Sequence, residues 1–385
     1  MRILHTSDWH LGRSFHKVGL LAAQATFVDH LVEAVRSESV DLVVVAGDVY
    51  DRALPPVDAV TLAGEALQRL ADLRVPTVIT SGNHDSARRL GFAADLIAAA
   101  GIHLRTDADA VGAPVLLSDA HGDVAVYGLP YLEPETLHER WGLPGRTHQA
   151  AMSEGVRRVR DDLGRRTTPT RSVLVAHAWV TGASPSDSER DITVGGAAQV
   201  RADTFDGIDY VALGHLHGAQ EVRPQVRYSG SPLAYSFSEA HHLKGSWLVD
   251  LGPAGVTSTE FVAAPVPRRL ALLTGRLDEL LHGAAYSQYE HCWCQVTLTD
   301  PVRPRAAMER LRQRFPETLV LVFAPEGAPT GDHLWARTIH DRSDLEVVTR
   351  FVDVVRGGAA DADEHRLLQA ACESCRTDVP GEAAG

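Results

Sequence analysis

Residues 1–10 read MRILHTSDWH, and this order predicts a buried strand with metal-ligand chemistry at its end. The run Met1–Thr6 is largely apolar, as is typical of a strand that is covered on both faces. Asp8 and His10 follow it directly. Ligands at the carboxyl ends of adjacent strands converge in the crevice above an α/β sheet. This stretch therefore predicts an α/β fold with a site at the strand ends.

The same arrangement recurs four times further along the chain. The predicted strands are Asp41–Ala46, Val75–Thr80, Ser172–Ala176 and Tyr210–Leu213. The motifs at their ends are Gly47-Asp48, Gly82-Asn83-His84-Asp85, Ala176-His177 and Gly214-His215-Leu216-His217. A lone Gly-Asp is also ordinary turn chemistry, and a lone histidine is usually a surface or core residue. Five such motifs in this order predict one shared site.

The side chains of these motifs offer a mixed set of oxygen and nitrogen donors. The expected metal ligands are Asp8, His10, Asp48, Asn83, His177, His215 and His217. Such a set suits Mn²⁺, Fe²⁺ or Zn²⁺ better than Ca²⁺ or a metal that prefers sulfur. Seven ligands suit two ions, with Asp48 as the bridge because a carboxylate has two oxygens. Two ions about 3.5–4 Å apart can clamp a phosphoryl group and generate hydroxide near neutral pH, so the site predicts hydrolysis of a phosphate ester.

His84 and Asp85 follow Asn83 directly and are the expected catalytic residues. His84 lies beside the ligands without being one, which suits a general acid or a positive charge on the transition state. Asp85 is expected to orient the imidazole of His84 or to raise its pKa.

The composition limits the classes of function. The chain has 385 residues and is 44% hydrophobic, which is ample for a core and indicates about two domains. Its formal charge is 37 minus 50, or −13, so the chain as a whole is a poor non-specific polyanion binder. Nucleic-acid contacts are therefore expected from local basic clusters or from metal ions. The sequence has no Gly-rich nucleotide loop of the G-x-x-x-x-G-K-[ST] type, so ATP hydrolysis would come from a partner.

The cysteines and the N-terminal sequence bear on the compartment. All four cysteines lie beyond residue 290, and a main domain without disulfides fits a reducing cytosol. Cys372 and Cys375 have zinc-like spacing, but only Cys292 and Cys294 offer a second half, so ordinary thiols are favoured. Neither a secretory leader nor a membrane-spanning run is visible. We expect a soluble cytoplasmic protein.

Helical patterns alternate with strands in the first half of the chain. Helical apolar spacing covers Leu21–Arg36, Leu62–Leu73 and Ser86–Ala100. The following region is richer in predicted strands, which include Val124–Tyr127, Val173–Val175, Val226–Tyr228 and Trp247–Val249. Two packed sheets with helices outside are the natural assembly of these elements.

A Pro-rich break, Ala263–Pro267, predicts a domain boundary. We assign residues 1–264 to the main domain, 265–343 to a small α/β capping domain that binds DNA, 344–376 to C-terminal helices and 377–385 to a disordered tail. Within the second part, strands are predicted at Leu270–Leu273, Trp293–Leu298 and Leu319–Phe323, and helices at Leu277–Leu281, Pro304–Phe315, Leu345–Val355 and Glu364–Cys375.

The ordered set D-x-H, GD, GNHD, H and GHxH resembles that of the calcineurin-like metallophosphoesterases over Met1 to about Asp250. The resemblance implies a four-layer fold of two packed β-sheets flanked by helices. It also implies that His84 is the catalytic histidine. One ion would take Asp8, His10, Asp48 and His217, and the other would take Asp48, Asn83, His177 and His215.

More specific segments resemble the SbcD nucleases, the nuclease subunits of bacterial SbcC–SbcD complexes. They are Ser7–Gly12, Gly47–Asp51, Ser188–Arg190 with Val194–Gly196, Asp209–His217 and Tyr228–Pro232. This resemblance implies a Mn²⁺-dependent, ATP-dependent 3′ to 5′ exonuclease on double-stranded DNA and a hairpin endonuclease in DNA repair, recombination and replication. It implies a nucleoid-associated homodimer within a heterotetramer whose other subunit, SbcC, is an ATPase with long coiled coils. Asp51 stands near the place where some relatives have a second active-site histidine, so no proton-transfer role is carried over to it.

The expected DNA contacts are arginines that follow the ligand motifs, namely Arg13, Arg52, Arg88 and Arg89. As phosphate contacts they would position a duplex without reading its sequence, and the alternative is ordinary solvated arginines. A second basic cluster, Arg303, Arg305, Arg310, Arg312 and Arg314, either tracks the duplex backbone or forms a solvated helix face.

Three further interpretations concern partners and alternatives. Leu345–Val355 and Leu367–Cys372 are amphipathic and either dock SbcC in a groove or pack within the chain. Leu62–Leu73 and Ser86–Ala100 are candidates for a homodimer face. The alternative functions are a small-molecule phosphodiesterase or phosphomonoesterase with the same metals, and a non-enzymatic scaffold with a decayed site.

Overall fold

A computed structural model of the chain describes residues 1–192, 199–326, 343–356 and 358–377, with side chains except those of Val354 and residues 375–377. It divides into two compact units, Met1–Leu272 and Leu273–Gly385. The division falls after Leu272, beyond the Pro-rich break at which the boundary was predicted. The segment Val194–Gly196, residues 378–385 of the predicted tail and the side chain of Cys375 lie outside the described residues.

The first unit alternates strands and helices in its first half. Its strands are β1 Arg2–Thr6, β2 Ser14–Phe15, β3 Val18–Gly19, β4 Leu42–Ala46, β5 Thr77–Thr80, β6 Ile102–Arg105, β7 Val115–Asp119, β8 Gly122–Leu129, β9 Thr170–His177, β10 Trp179–Val180, β11 Gln199–Val200, β12 Tyr210–Gly214, β13 Gln220–Arg223, β14 Val226–Tyr228, β15 Gly245–Gly252 and β16 Gly255–Ala263. Its α-helices are α1 Leu21–Ser37, α2 Val57–Asp72, α3 Ala87–Leu90, α4 Ala94–Ala98, α5 Pro134–Trp141 and α6 His148–Arg165.

Two six-stranded sheets carry the site. The first has the order β16-β15-β1-β4-β5-β6, with β1, β4, β5 and β6 parallel and β15 and β16 antiparallel at one side. The second has the order β13-β14-β12-β9-β8-β7, with β14, β12, β9 and β8 parallel and antiparallel strands at both edges. The strands that were predicted to end in ligand motifs are therefore central in the two sheets.

The core confirms a four-layer α/β arrangement. Val44 of β4 packs with Val175 of β9 in a cluster between the two sheets. Its neighbour Val43 points the other way, into a cluster with residues of α1 and α2. Leu174 of β9 likewise faces a third cluster, with residues of α5 and α6. Because strand side chains alternate between faces, each sheet is apolar on both sides and lies between another sheet and a helical layer.

The predicted helix Ser86–Ala100 is wrong as a single element, because it is two short helices, α3 and α4. Ala93 between them has a left-handed backbone conformation with φ of 58°, which interrupts a right-handed helix. The apolar spacing of this segment also does not reflect burial, since the side chains of Phe92 and Leu96 are both 79% exposed.

The second unit is a small α/β fold. Its elements are β17 Leu270–Gly275, whose first three residues precede the division, α7 Leu277–His282, β18 Trp293–Leu298, α8 Ala307–Arg314, β19 Thr318–Phe323, α9 Asp344–Arg356 and α10 Ala362–Thr377. The sheet has the order β17-β18-β19, and β18 and β19 are parallel. The thiols of Cys292 and Cys294 are free and buried in this unit. Over the described residues of the whole chain, every helix is too short or too polar to cross a bilayer.

Candidate metal centre

The ligand motifs place several donors in an unusual backbone conformation. Asp8, His10, Asp48 and His215 have φ values of 53°, 45°, 49° and 104°, in the left-handed region. Residues with a Cβ atom rarely adopt this region, and such strain persists only where the surroundings impose it, often at functional sites. The turns after β1, β4 and β12 therefore adopt a strained backbone conformation that directs the donor side chains toward the site.

Glycines allow the ends of the strands to approach one another. A Cβ atom on Gly82 would lie 2.1 Å from Oδ1 of Asp48, and one on Gly214 would lie 1.8 Å from the carbonyl oxygen of Ala46. Gly214 belongs to the second sheet and Ala46 to the first. The glycines of these motifs are thus needed for the two sheets to close around the site.

The first group of donors contains Asp8, His10 and His217, whose ligand atoms all lie within 4.8 Å of one another. Nε2 of His10 lies 3.1 Å from Nε2 of His217 and 3.6 Å from Oδ2 of Asp48. All four side chains are buried. This is the group to which the resemblance assigned one ion.

The second group of donors contains Asn83, His177 and His215. Oδ1 of Asn83 lies 2.9 Å from Nε2 of His177 and 3.2 Å from Nδ1 of His215. Oδ2 of Asp48 lies 3.5 Å from Nε2 of His177. The structure therefore also brings together the side chains that were assigned to the other ion.

Asp48 lies between the two groups. Its Oδ1 accepts a hydrogen bond of 2.8 Å from the backbone N–H of His84. Its Oδ2 lies 3.6 Å from Nε2 of His10 in the first group and 3.5 Å from Nε2 of His177 in the second group. This is the position that a bridging ligand needs.

The protonation of His177 shows that the donor set fits a cation. Its Nδ1 lies 2.9 Å from the carbonyl oxygen of Ala46, which only accepts, so Nδ1 carries the proton. Burial lowers the pKa of His177, and in the neutral ring with its proton on Nδ1 the lone pair of Nε2 faces Oδ1 of Asn83, a second acceptor. Nδ2 of Asn83 is buried and has no hydrogen-bond partner among the described residues. A divalent cation between the two acceptors accounts for this orientation.

The pKa shifts of the donor side chains also favour a bound cation. Burial raises the pKa of Asp8 well above its ordinary value, and the neighbouring carboxylate of Asp48 raises it further. Burial and the adjacent imidazoles lower the pKa values of His10 and His215 well below their ordinary value. Burial and the neighbouring donors thus disfavour the ionised form of Asp8 and the protonated forms of His10 and His215, and a bound cation would favour the ionised carboxylate and the neutral imidazoles.

His84 lies close to the carboxylate of Asp48 and outside both expected ligand sets. Its Nδ1 lies 2.8 Å from the carbonyl oxygen of Asp51, so this nitrogen donates. Its Nε2 lies 4.0 Å from Oδ2 of Asp48, and its ring centroid is 4.6 Å from that of His10. Nε2 thus faces the donor groups, and the backbone of Asp51 fixes the ring.

The expectation that Asp85 orients the imidazole of His84 is wrong. Its carboxylate accepts hydrogen bonds from the backbone N–H groups of Val49, Tyr50 and Gly82 at 3.1, 2.9 and 3.0 Å. These three groups converge on Asp85 and tie the turn after β4 to the turn after β5. Burial and the charge of Asp48 raise the pKa of Asp85 to about 7.

Arg13 is held within the protein and is not a free cation at the rim. Its guanidinium lies 4.8 Å from the ring centroid of Tyr235 and donates to the carbonyl oxygen of Ser188 at 2.8 Å. Its Nε also lies 3.7 Å from Oδ1 of Asp51.

The other three predicted DNA contacts lie on the surface beside the site. Arg52 is exposed, 3.6 Å from the carboxylate of Asp51. Arg88 and Arg89 are exposed on α3, and Arg89 donates to the carbonyl oxygen of Ala53 at 3.0 Å.

In the second unit, three of the clustered arginines have internal partners. Arg310 pairs with Asp278 at 3.0 Å and Arg314 with Glu290 at 3.0 Å. Arg312 donates to the carbonyl oxygen of Thr318 at 3.1 Å. These contacts anchor α8 within its unit.

Sequence reasoning missed the residues that hold the ligands in place. Glu189 accepts a hydrogen bond of 2.8 Å from the backbone N–H of His217, and Arg190 donates to the carbonyl oxygen of Asn83 at 3.3 Å. Gln24 of α1 donates to the carbonyl oxygen of His10 at 2.8 Å. A buried glutamine in an apolar helical pattern was one available signal, and the resemblance of Ser188–Arg190 to SbcD sequences was another. The Ser188–Arg190 segment has no periodicity that would reveal its role.

Comparison with protein families gives two matches. Residues 1–219 match the calcineurin-like phosphoesterase family, and residues 266–356 match the SbcD C-terminal domain, described as "Type 5 capsule protein repressor C-terminal domain". The first match covers more than half of the chain, and the second lies beyond the Pro-rich break.

Solved structures give more distant likenesses. TT1561 of Thermus thermophilus is 12% identical, with 68% of this chain and 98% of that chain covered and a TM-score of 0.38. GAP50, the anchor in the inner membrane complex of Plasmodium, is 12% identical, with 86% of this chain and 99% of that chain covered and a TM-score of 0.38. At such TM-scores these likenesses bear on neither the fold nor the function.

Proposed function

This chain belongs to the calcineurin-like phosphoesterases, and on that premise we propose that it is the DNA nuclease subunit of an SbcC–SbcD complex. Its reaction would be ATP-dependent 3′ to 5′ exonuclease action on double-stranded DNA and endonuclease cleavage of hairpins, in the cytoplasm at the nucleoid. The two family matches together support an SbcD-type protein. The observation that carries the proposal is the convergence of two donor groups on Oδ2 of Asp48.

The proposed cofactor is a pair of divalent cations, with Mn²⁺ favoured. Asp8, His10 and His217 would hold one ion, Asn83, His177 and His215 the other, and Asp48 would bridge them. When bound, the ions would supply Lewis acidity toward the phosphate and lower the pKa of water. Their ligands are hard oxygens and imidazole nitrogens, which is a set that manganese accepts.

We assign proton transfer or charge stabilisation at the leaving oxygen to His84. Its Nδ1 is committed to the carbonyl oxygen of Asp51, so Nε2 is the atom that reaches toward the substrate. Asp85 would hold the turns after β4 and β5 together and take no part in proton transfer, since its carboxylate accepts hydrogen bonds from three backbone N–H groups.

A nucleic-acid substrate is favoured by the surface beside the metal centre. Arg52, Arg88 and Arg89 follow the ligand motifs and are exposed. Arginines in such positions contact phosphates and position the backbone of a duplex. A small phosphate ester would not reach beyond the metal centre and would leave these side chains unused.

We propose that the chain forms a homodimer through an apolar patch near α2 and α3. Leu54, Val57, Phe92 and Leu96 have exposures of 67%, 79%, 79% and 79%. The hydrogen bond from Arg89 to Ala53 joins the two segments that carry them. Large exposed apolar side chains clustered on neighbouring segments are typical of an interaction site.

We propose α9 and α10 as the docking segment for SbcC. Phe351 and Val355 on α9 and Leu367 on α10 are exposed large apolar residues. The two helices are amphipathic and thus suited to a partner groove or to the helices of a coiled coil.

The function is tested with the purified chain, Mn²⁺ and two substrates. A labelled hairpin duplex should be cleaved, more strongly when an SbcC-type ATPase and ATP are added. The parallel substrate is a chromogenic phosphodiester. Turnover of the small ester together with an intact hairpin, with or without the ATPase, would contradict the nuclease assignment.

A further inference from the structure

A buried chain of polar side chains leads away from His217 on the side opposite to the metal centre. Nδ1 of His217 lies 2.5 Å from Oγ of Ser188. Oγ of Ser188 in turn donates to Oε1 of Glu239, and Oε2 of Glu239 pairs with Nζ of Lys244. The side chains of Glu239 and Lys244 are fully or almost fully buried.

The direction of the hydrogen bonds in this chain is fixed by Glu239. Lys244 pairs with one carboxylate oxygen, and an ionised carboxylate only accepts hydrogen bonds. Since no other proton lies between Oγ of Ser188 and Oε1 of Glu239, the hydroxyl of Ser188 donates to Glu239 and not to Oγ of Ser186, which lies 3.1 Å away. With that proton used, Oγ of Ser188 accepts from His217, so Nδ1 of His217 is the protonated nitrogen. Nε2 then has a free lone pair that faces the first donor group.

The same residues also hold the backbone of His217. Lys244 donates to the carbonyl oxygen of His217 at 2.8 Å and to Oγ of Ser231 at 2.9 Å. Glu189 accepts from the backbone N–H of His217 at 2.8 Å. The ring, the N–H and the C=O of one residue are thus each fixed by a neighbour.

Holding the backbone of His217 explains the bonds of Lys244 to His217 and Ser231, but it does not explain the hydrogen bond from Ser188 to Glu239. Replacing a buried ion pair by well-packed apolar residues is often neutral or stabilising. Unlike apolar residues, a carboxylate that is kept ionised by a lysine always accepts a hydrogen bond from the hydroxyl of Ser188. A hydrogen bond at one ring nitrogen of a histidine decides which of the two nitrogens carries the proton.

We propose that Glu239 and Lys244 are positioning residues for His217, which act through the hydroxyl of Ser188 to keep Nε2 of His217 unprotonated and directed at the first ion. This inference rests on the proposed metal centre. Groups of this kind behind metal ligands typically contribute about 10–100-fold to metal affinity.

The first test is the tautomer of His217 in the metal-free full chain, read from the ring nitrogens by ¹⁵N NMR of histidine-labelled protein. The wild type should show a protonated Nδ1 and a bare Nε2. Ser188→Ala should shift the ring toward the Nε2-protonated form, and Ser188→Thr, which keeps the hydroxyl, should restore the wild-type pattern. A wild-type His217 that is protonated at Nε2 overturns the proposal, even if no variant can be studied.

The second test is calorimetric titration with Mn²⁺. The wild type should bind two equivalents, and Ser188→Ala should weaken one of them by roughly 10–100-fold and leave the other unchanged. Asp187→Ala is the matched control, because Asp187 is the exposed neighbour of Ser188 and its backbone N–H bonds Ser238. Equal affinities in Ser188→Ala and wild type overturn the positioning role. Absence of Mn²⁺ binding by the wild type would instead refute the proposed metal centre. The NMR experiment would still decide whether Ser188 and Glu239 set the tautomer of His217.

Discussion

Nε2 of His177 and Oδ1 of Asn83 lie 2.9 Å apart, and both atoms are hydrogen-bond acceptors. The proton of His177 is committed to the carbonyl oxygen of Ala46 on the other side of the ring. In the neutral tautomer of His177 these two acceptors repel each other, and a cation between them would offset the repulsion. The geometry therefore fits a cation, with consequences for stability as well as for activity.

Mn²⁺ should raise the melting temperature of the chain, because a ligand that binds only the folded state stabilises it. At a free concentration about 100 times the dissociation constant the gain is about 2.7 kcal/mol, or roughly 5–10 °C for a unit of this size. Scanning calorimetry with Mn²⁺ and with EDTA measures it. Asp48→Asn should lose most of the increment, whereas the exposed Asp58→Asn should retain it. Equal melting temperatures with and without metal would speak against the cation site.

His84→Ala should lower the rate of hairpin cleavage by about 10²–10⁴-fold, the usual contribution of a positioned proton donor or base. Bound Mn²⁺ should stay near the wild-type amount, since both expected ligand sets are complete without His84. Cleavage kinetics and metal analysis of the same preparation measure the two effects, with the exposed His121→Ala as control. A parallel loss of metal would show that His84 is a ligand.

Asp119→Asn should destabilise the first unit at pH 7. The carboxylate pairs with the buried Arg171, whose hydrogen bonds hold the pKa of Asp119 below its ordinary value. A lowered folded-state pKa gives stability that is present above the unfolded-state pKa of about 4 and is lost as the pH falls below it. Urea unfolding should show a loss of about 1–3 kcal/mol at pH 7, and a smaller loss below pH 4. Asp123→Asn, exposed on the same hairpin, is the control, and a loss independent of pH would refute the charge effect.

Phe92→Glu should convert a homodimer into a monomer, because a charge in the middle of an apolar interface is left without solvation. Sedimentation analysis measures the mass. Leu116→Glu places the same charge on a different exposed apolar side chain and should leave the dimer intact. If both variants and the wild type sediment alike, the patch around Phe92 is not the dimer face.

The strand-end motifs could be predicted from the sequence because their rules are local. A parallel strand is apolar along its whole length, as Leu42–Ala46 shows, and ligand-type residues at its end stand out. The site could be anticipated because parallel strands bring such ends together. Asp48 was expected to bridge because its carboxylate has two oxygens, and the structure gives this residue the central position between the two donor groups.

The features that the sequence did not reveal depend on contacts between distant residues or on backbone conformations that local propensity does not predict. Ser188 meets Glu239 across 51 residues of chain, a contact that no periodicity records. Asp85 was paired with His84 because they are adjacent in sequence, but its carboxylate turns toward the backbone of Tyr50. The left-handed Ala93 that splits a predicted helix depends on its surroundings and not on its own propensity.

Two divalent cations should bind on either side of the Asp48 carboxylate. Anomalous scattering from crystals grown with Mn²⁺ locates them. We expect two anomalous peaks roughly 3.5–4 Å apart, one among Asp8, His10 and His217 and the other among Asn83, His177 and His215. A map without anomalous density beside Asp48 at saturating Mn²⁺, or with a single peak far from these donors, would contradict it.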